Sequence, residues 1–379
     1  MMEYTKIKDI NKYISQSVNP MKTPDQIFEM YSVPIYETGH PEYLRGDEIA
    51  SNKVVVHKND VLLCKINPRI NRVWVVADES DNMNIASSEW IVIRNSEYNP
   101  EYLAWYFRTP RFQKLMVSEV TGIGGSLTRA QPKAVAEYPV PVLNREKQDE
   151  IVKVLNKISG VISNRRLELQ KLDELIKARF VELFGDPVSN SYGLPEATLP
   201  ELGEFGRGVS KHRPRNDPKL LGGDYPLIQT GDVANAGLYI TSYNSTYSEL
   251  GLKQSKMWDK GTLCITIAAN IAKTAILEFD ACFPDSVVGF TANEKTSNIF
   301  IHYWFSFFQA ILESQAPESA QKNINLKILN ELKVIVPEKD KQDEFVDFIK
   351  QVDKSKVAVQ AALDKAQLLF DSLMQEYFG

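Results

Sequence analysis

The sequence predicts an α+β protein in which two similar domains are separated by two long antiparallel coiled-coil helices, with an internal pseudo-twofold duplication. Residues 140–185 return as residues 334–379 without a gap, and 13 of the 46 aligned pairs are identical. Both copies carry an apolar repeat that is typical of long paired helices. Each copy follows a block of mixed helix and strand character. A duplicated chain of this kind presents two similar surfaces from one polypeptide.

The blocks and the helices alternate along the chain. Short apolar runs predict strands in both blocks, at residues 54–56, 73–77, 91–93, 263–268, 274–279 and 286–291. Each block also has one aromatic-rich helix, whose side chains are predicted to lie in the core rather than to stack on bases. These helices cover residues 100–117 and 298–314. The predicted division is a first block at 1–143, a first long helix at 144–186, a second block at 187–337 and a second long helix at 338–379.

The repeat predicts the two long helices. Ten positions from Ile151 to Leu183 follow alternating steps of four and three residues, which is the coiled-coil period of 3.5. Eight of these ten positions are apolar, and so are nine of their ten equivalents from Phe345 to Tyr377. Asn144 is a predicted N-cap, and Gly185 followed by Pro187 is a stop signal. Two amphipathic helices in separate cores are the alternative, but the period in both copies favours helices that pack on each other as a rigid spacer.

Composition narrows the class of protein. The 379 residues include 43% hydrophobic and 25% charged side chains, which is ordinary for a soluble globular protein. No apolar run approaches the roughly 18 residues that span a bilayer. The three cysteines form no Cys-x-x-Cys pair, and none of the four histidines is spaced as a ligand pair. We therefore expect a protein of the reducing cytoplasm, without a structural metal site or a membrane partner.

The net charge of −5 does not indicate a general nucleic-acid binder, so any contact with DNA must come from local clusters. One cluster, at residues 65–72, lies between two predicted strands of the first block, and another lies near the start of the second block. Arg, Lys, Asn and Gln side chains read base edges, and Lys and Arg also bind phosphates. Solvated hairpin tips are the alternative, but the clusters recur at matching places. The predicted DNA contacts are Arg45, Lys65, Asn67, Arg69, Asn71, Arg72, Ser126, Arg129, Arg207, Lys211, Arg213, Arg215, Thr230, Asn270, Lys273, Lys322 and Asn323.

Known catalytic motifs are missing from the sequence. Neither a dinucleotide-binding glycine motif nor a phosphate-binding loop is complete. Pro284-Asp285 followed by Glu294-Lys295 partly matches a nuclease pattern, but adjacent residues on a strand point apart. No paired carboxylates, serine elbow or Cys/His dyad can be assigned. We therefore predict a chain without a catalytic site of its own.

The whole chain resembles the specificity (S) subunit of Type I restriction–modification systems. The match is carried by residues 138–142 with Lys147-Gln148-Asp149-Glu150, by residues 334–337 with Lys341-Gln342-Asp343-Glu344, and by the two Phe-Gly helix endings. The resemblance implies two target-recognition domains, here 1–143 and 187–337, each followed by a spacer helix. Residues 166–168 are Arg-Leu-Glu in the first helix, whereas 360–362 are Gln-Ala-Ala in the second, so the two partner surfaces differ.

The resemblance also implies the partners. One half of a bipartite double-stranded DNA target is read by each domain. Two modification subunits bring S-adenosylmethionine and methylate adenine, while restriction subunits bring ATP hydrolysis, magnesium and cleavage. No cofactor is expected on this chain. Two rival hypotheses are a coiled-coil scaffold that binds only protein and a nuclease or methyltransferase whose motifs have diverged. Gel shifts over a range of salt, together with activity assays on the isolated chain, separate the three.

Overall fold

A computed structural model describes residues 3–77, 79–118, 120–121, 128–315 and 324–379. The chain divides into two compact units. Unit 1 contains Met1–Arg166 and Ala361–Gly379, and unit 2 contains Leu167–Gln360. Each unit therefore combines one block with a part of both long helices. None of the helices within the described ranges is both long and apolar enough to cross a membrane.

Unit 1 is built from small sheets and short helices. Strands β3 and β8 are parallel neighbours in a five-stranded sheet of order β2-β5-β8-β3-β4, and a second sheet has the order β7-β6-β9. The strands are β1 Tyr4–Lys6, β2 Ser17–Val18, β3 Ile27–Tyr31, β4 Glu42–Arg45, β5 Lys53–Val55, β6 Val61–Cys64, β7 Val73–Val75, β8 Met83–Ala86, β9 Trp90–Ile93, β10 Val120–Thr121, β11 Arg129–Ala130 and β12 Pro139–Pro141. The helices are α1 Ile7–Ile10, α2 Pro100–Phe107, α3 Pro110–Ser118, α4 Pro132–Val135 and the long α5 Arg145–Phe184.

Unit 2 is also built from small sheets and short helices, and its two main sheets have five and four strands. One sheet has the order β14-β22-β19-β20-β16 and another the order β17-β15-β21-β18. The strands are β13 Glu196–Thr198, β14 Gly203–Arg207, β15 Leu221–Leu227, β16 Tyr239–Ile240, β17 Ser245–Tyr247, β18 Met257–Trp258, β19 Leu263–Thr266, β20 Thr274–Leu277, β21 Ala281–Cys282, β22 Val287–Ala292 and β23 Lys333–Ile335. The helices are α6 Leu199–Leu202, α7 Thr230–Asn235, α8 Glu249–Lys253, α9 Asn298–Gln315, α10 Leu326–Glu331 and the long α11 Lys339–Phe378.

The duplication is visible in the strand pairing. In unit 1, β1 pairs with β12 just before α5, with Tyr4 opposite Pro141. In unit 2, β13 pairs with β23 just before α11, with Glu196 opposite Ile335. A three-strand core also recurs, since β6 lies between β7 and β9, and β19 lies between β20 and β22. The predicted fold class, with two similar α+β domains and two long helices, is confirmed.

The long helices bury the predicted seam. None of its ten positions in α5 is exposed, and neither is any of their ten equivalents in α11. In unit 2 the helices run antiparallel, because the partner of Asp173 is Lys356 whereas that of the later Arg179 is the earlier Glu344. The seam positions that are not apolar are Arg165, Arg179 and Lys356, and the last two form ion pairs between the helices. A charged side chain at the edge of a seam can keep its head in solvent while its stem covers apolar surface.

The aromatic helices complete each core, as predicted. Tyr106 and Phe107 in unit 1, and Trp304 and Phe305 in unit 2, are buried. The predicted single helix over residues 100–117 is wrong in one respect, because the structure divides it into α2 and α3 at Thr109-Pro110. Pro110 has no N–H to continue the helical ladder. The Thr109 hydroxyl instead accepts a hydrogen bond from the Phe112 N–H at 3.2 Å and starts a new helix.

The repeated Lys-Gln-Asp-Glu segment joins each long helix to the aromatic helix of its own unit. Gln148 is buried, and its Oε1 accepts a hydrogen bond from the Asn99 N–H at 2.8 Å, at the start of α2. Gln342 is also buried, and its Oε1 accepts a hydrogen bond from the Thr296 hydroxyl at 3.0 Å. Its Nε2 donates to two backbone carbonyls at 2.9 Å, those of Lys295 and Pro337. The glutamine therefore recurs because a buried amide satisfies polar groups that the packing removes from water.

Replacing Gln342 by leucine is expected to destabilise unit 2 by about 2–4 kcal/mol, because one hydroxyl and two carbonyls then lose a partner inside the core. Gln351→Leu is the matched control. Gln351 lies on the exposed face of the same helix, so its substitution should change the free energy of unfolding by less than about 0.5 kcal/mol. Urea unfolding of both variants measures the difference. Equal effects of the two substitutions would contradict this role of the buried amide.

Candidate nucleic-acid interface

The first cluster of predicted contacts lies on the loop that joins β6 to β7. The loop is held against the segment before α4 by backbone hydrogen bonds. The Asn67 N–H donates to the Thr128 carbonyl at 2.8 Å, and the Ala130 N–H donates to the Lys65 carbonyl at 2.8 Å. An isolated antiparallel bridge joins Ile66 to Arg129. The structure thus brings Arg129 next to the residue 65–72 loop, although 57 residues separate Arg72 from Arg129 in the sequence.

The side chains of this loop have different tasks. Asn67 has a φ of +45°, a left-handed conformation that asparagine tolerates better than most residues. The Asn71 amide donates to the Phe107 carbonyl at 3.2 Å and ties the loop to the end of α2. Arg69 is exposed, and its carbonyl accepts a hydrogen bond from Gln113 of α3 at 2.7 Å. Arg69 therefore combines a fixed backbone with a guanidinium group in solvent.

Arg72 lies near the buried thiol of Cys64, and Arg129 lies next to a carboxylate. Burial raises the pKa of the Cys64 thiol above its ordinary value, while the nearby Arg72 partly offsets that rise. The Arg129 guanidinium lies 3.3 Å from the Glu89 carboxylate. Arg45 belongs to a different part of unit 1, at the end of β4, where it pairs with Asp25 at 2.8 Å. The structure therefore groups the predicted contacts at residues 65–72 with Arg129 and leaves Arg45 on another sheet.

The second cluster follows β14 in unit 2 and converges on one acidic residue. The carboxylate of Asp285 lies 3.3 Å from Arg213 and also pairs with Arg215. Its backbone carbonyl accepts a hydrogen bond from Arg207. The loop is fixed from the other side by Gln254, whose Oε1 accepts from the Lys211 N–H at 2.7 Å. The backbone N–H of Lys219 holds the pKa of Asp217 below its ordinary range, and the ring of His212, 3.1 Å from that carboxylate, adds to the effect.

Two predicted contacts share a cavity next to this cluster. Arg215 and Thr230 line a cavity of about 220 Å³, together with Gln229, Ser286 and the buried Tyr247. Thr230 is the first residue of α7. The cavity therefore combines a guanidinium group, hydroxyls and an amide with an apolar wall. Such side chains can donate to and accept from the edges of bases.

The loop after β19 is the counterpart of the residue 65–72 loop. It contains two alanines with positive φ, Ala269 at 64° and Ala272 at 57°. The Thr266 hydroxyl donates to the Lys273 carbonyl at 3.1 Å and closes the turn. The Ile324 N–H donates to the Ile267 carbonyl at 3.0 Å, which matches the bond from the Ala130 N–H to the Lys65 carbonyl in unit 1. Asn270 is exposed and Lys273 is half-buried, so both predicted contacts lie on a loop of defined shape.

Three predicted contacts, Ser126, Lys322 and Asn323, lie outside the described residues. Sequence reasoning missed the residues that hold the cations, namely Asp285, Gln254 and Glu89. In the sequence Asp285 belongs only to a partial nuclease pattern, and its distance along the chain from Arg213 gives no local signal of their pairing. Among the described residues there is no group of three or more side chains suited to bind a metal ion. The chemistry that these loops offer is hydrogen bonding and charge.

Comparisons with known proteins show which family the chain is similar to. A sequence profile described as "Type I restriction modification DNA specificity domain" matches residues 196–366. A protein of Methanocaldococcus jannaschii, named for the specificity subunit of the type I restriction enzyme MjaX, is 20% identical over 374 residues. The alignment covers 93% of this chain and 86% of that protein.

Two solved structures share the fold. The type I restriction–modification S subunit from M. genitalium has a TM-score of 0.57 and 13% identity, and the alignment covers all of this chain and 96% of that one. The second is a chain of a solved structure that concerns complex assembly and conformational transition of the type I restriction–modification system. It has a TM-score of 0.55 and 16% identity, and the alignment covers 100% of this chain and 97% of that one. Both similarities extend over both units of this chain.

Replacing Arg69 and Arg72 by alanine should weaken binding to a duplex that carries the target, by about tenfold or more, because a base-reading side chain contributes about 1–3 kcal/mol. Replacing Lys211, Arg213 and Arg215 should do the same through unit 2. Titration of labelled duplexes at several salt concentrations measures both effects.

The matched control for this experiment is the pair Lys171→Ala and Lys177→Ala. It removes two positive charges from the exposed face of α5 and should leave affinity within about twofold, because neither lysine lies on a candidate loop. If a cluster variant behaved like this control, its loop would be a solvated hairpin tip.

Proposed function

We propose that the chain belongs to the specificity subunits of Type I restriction–modification systems and that it reads a bipartite DNA target. Each unit reads one half-site. The chain gives sequence specificity to methylation and cleavage that its partners carry out. Membership in the family rests on the profile match, the curated relative and the shared fold. The division into two half-sites is the part that experiment must test.

The observation that carries this proposal is the recurrence of one loop arrangement in both units. In each unit, a loop with amide and cationic side chains follows the central strand of a three-strand core, β6 or β19. In each unit, a backbone hydrogen bond holds that loop against a segment further along the chain. The side chains on the two loops differ, since Lys65, Arg69 and Arg72 in one unit are matched by Asn270 and Lys273 in the other. A shared frame with different side chains is suited to two half-sites of different sequence.

We assign catalysis and cofactors to the partners. Two modification subunits would bring S-adenosylmethionine and methylate adenine, and restriction subunits would bring ATP and magnesium. The long helices offer surfaces for such partners, because apolar side chains are exposed on them at Val154, Val161, Leu175, Val357 and Leu368. Cys64, Cys264 and Cys282 are free and buried, which supports the assignment to a reducing cytoplasm.

A test of the isolated chain and of the complex separates this function from its rivals. A protein that neutralises DNA phosphates when it binds has an affinity for DNA that falls steeply as the salt concentration rises. A chain that binds only protein would show no such slope, and a diverged enzyme would transfer methyl groups or cleave DNA without partners. We expect the isolated chain to bind duplexes with a salt-dependent affinity, to lack both activities, and to acquire methyl transfer on addition of modification subunits.

The spacer between the half-sites provides a separate prediction. Each long helix has 40 residues without a break. Inserting four residues after Arg165 and four after Gln360 adds about 6 Å to each helix. One base pair rises about 3.4 Å, so the spacer should lengthen by one or two base pairs, while both half-site sequences stay the same. Methylome sequencing of a host that carries the assembled system measures both quantities.

Insertions of seven residues at the same places are the control for this prediction. Seven residues keep the apolar seam in register, whereas four advance it by about 40° beyond a full turn. Both insertions should lengthen the spacer if helix length determines it. An unchanged spacer combined with altered half-site bases would show that the helices are not the ruler.

A further inference from the structure

We infer that Asp285 is a positioning residue for sequence recognition in unit 2, where it directs the guanidinium groups of Arg213 and Arg215 toward base edges. The inference rests on the proposed DNA-binding function. It adds that these two arginines read bases, that they are not general phosphate anchors, and that an acidic residue on a distant segment makes this possible.

The geometry places three arginines around one residue. Arg213 and Arg215 both pair with the Asp285 carboxylate, and Arg207 donates to the Asp285 backbone carbonyl. The Asp285 side chain is 29% exposed, whereas those of Arg213 and Arg215 are 54% and 44% exposed. The carboxylate side chain is therefore less exposed than the two arginine side chains, and part of each arginine side chain remains open to a ligand.

The backbone around this ion-pair cluster is also fixed. The Gly208 N–H donates to the Val287 carbonyl at 2.8 Å. A side chain at Gly208 would lie 2.3 Å from the Pro284 carbonyl oxygen, so the start of the loop needs glycine to approach the segment that carries Asp285. Arg213 also donates to the Ser210 carbonyl of its own loop at 2.6 Å. Loop and carboxylate are thus joined through both backbone and side chains.

Charge argues against a role in simple phosphate binding. The three arginines around Asp285 carry three positive charges and the carboxylate lowers the sum to two, so it removes a third of the charge that would attract a phosphate. A carboxylate near the DNA backbone is repelled by phosphates and lowers affinity that does not depend on sequence. The carboxylate instead fixes the orientation of the guanidinium groups. Such a fixed orientation is needed because a bidentate contact with guanine requires a guanidinium group in a fixed plane.

The surroundings of Arg215 favour base edges as its target. Arg215 lines the cavity of about 220 Å³ together with Gln229, Thr230 and Ser286. Ser286 is the immediate neighbour of Asp285, so the carboxylate and the cavity belong to one local structure. Amide and hydroxyl groups around an oriented guanidinium group form a surface for reading bases in a groove.

The experiment uses the full chain assembled with its modification subunits. Asp285→Asn is compared with the natural chain on three duplexes: the complete target, a target with the unit 2 half-site scrambled, and one with the unit 1 half-site scrambled. We expect Asp285→Asn to lose about tenfold or more of its discrimination against the scrambled unit 2 half-site. Its affinity for that scrambled duplex should stay the same or rise, and discrimination at the unit 1 half-site should not change.

Two further variants make the result specific. Glu204→Gln removes the same charge from an exposed position on β14 and should leave discrimination within about twofold, because no described residue forms a hydrogen bond or ion pair with that side chain. Asp285→Glu keeps the charge but moves the carboxylate, so its discrimination should lie between those of the natural chain and Asp285→Asn. This variant also provides the test if Asp285→Asn does not fold.

Three results would overturn the inference. The first is full discrimination by Asp285→Asn. The second is an equal loss of affinity of Asp285→Asn for all three duplexes together with a lower melting temperature. The third applies if Asp285→Asn does not fold, and is an Asp285→Glu variant that discriminates as well as the natural chain. Failure of the proposed function has a different signature, because the natural chain itself would then not discriminate the target from either scrambled duplex.

Discussion

The packing of α5 against α11 is the constraint on which the rest of the structure depends. In unit 2, Phe180 of α5 lies 5.3 Å from Phe345 of α11 and 5.4 Å from Phe300 of α9, measured between ring centres. In unit 1, Trp105 of α2 lies 5.5 Å from Phe370 of α11, and Tyr102 lies 5.4 Å from Phe378. Each block thus closes its core against the long helices. Neither block has a complete apolar core without the helix that belongs to the other copy of the repeat.

This dependence explains why the repeat is best preserved at its two ends. The Lys-Gln-Asp-Glu segment buries an amide under the aromatic helix, and the final Phe-Gly places Phe184 and Phe378 in the cores. Between these ends the seam tolerates change, because one apolar side chain can replace another of similar size at modest cost. The exposed faces are free to diverge further, and Lys153 and Lys157 of α5 correspond to Asp347 and Gln351 of α11. Surfaces for partners can differ on one conserved frame.

The candidate DNA-binding loops are separate from the frame that the two long helices form. The candidate loops leave the ends of short strands, and hydrogen bonds to neighbouring segments hold their backbones. Acidic side chains lower the positive charge of each cluster, because Glu89 accompanies Arg129 and Asp285 accompanies two arginines. A chain with an overall charge of −5 gains little from general attraction to DNA, so the proposed recognition would depend on where a few cations point. Acidic partners that orient arginines are consistent with that requirement.

The sequence alone predicts the duplication, the long helices with their seam, the N-cap at Asn144, the aromatic cores and the strands β7, β19 and β20 next to the candidate loops, but not β6. These features follow from periodicity and from turn and cap residues, which act between residues that are close along the chain. Three features appear only in the folded protein: the ion pairs of Arg179 and Lys356 between the helices, the separation of Arg45 from the other contacts and the convergence of arginines on Asp285. Arg213 and Asp285 are 72 residues apart, and a pairing at that separation depends on how the strands fold together, which local patterns do not record.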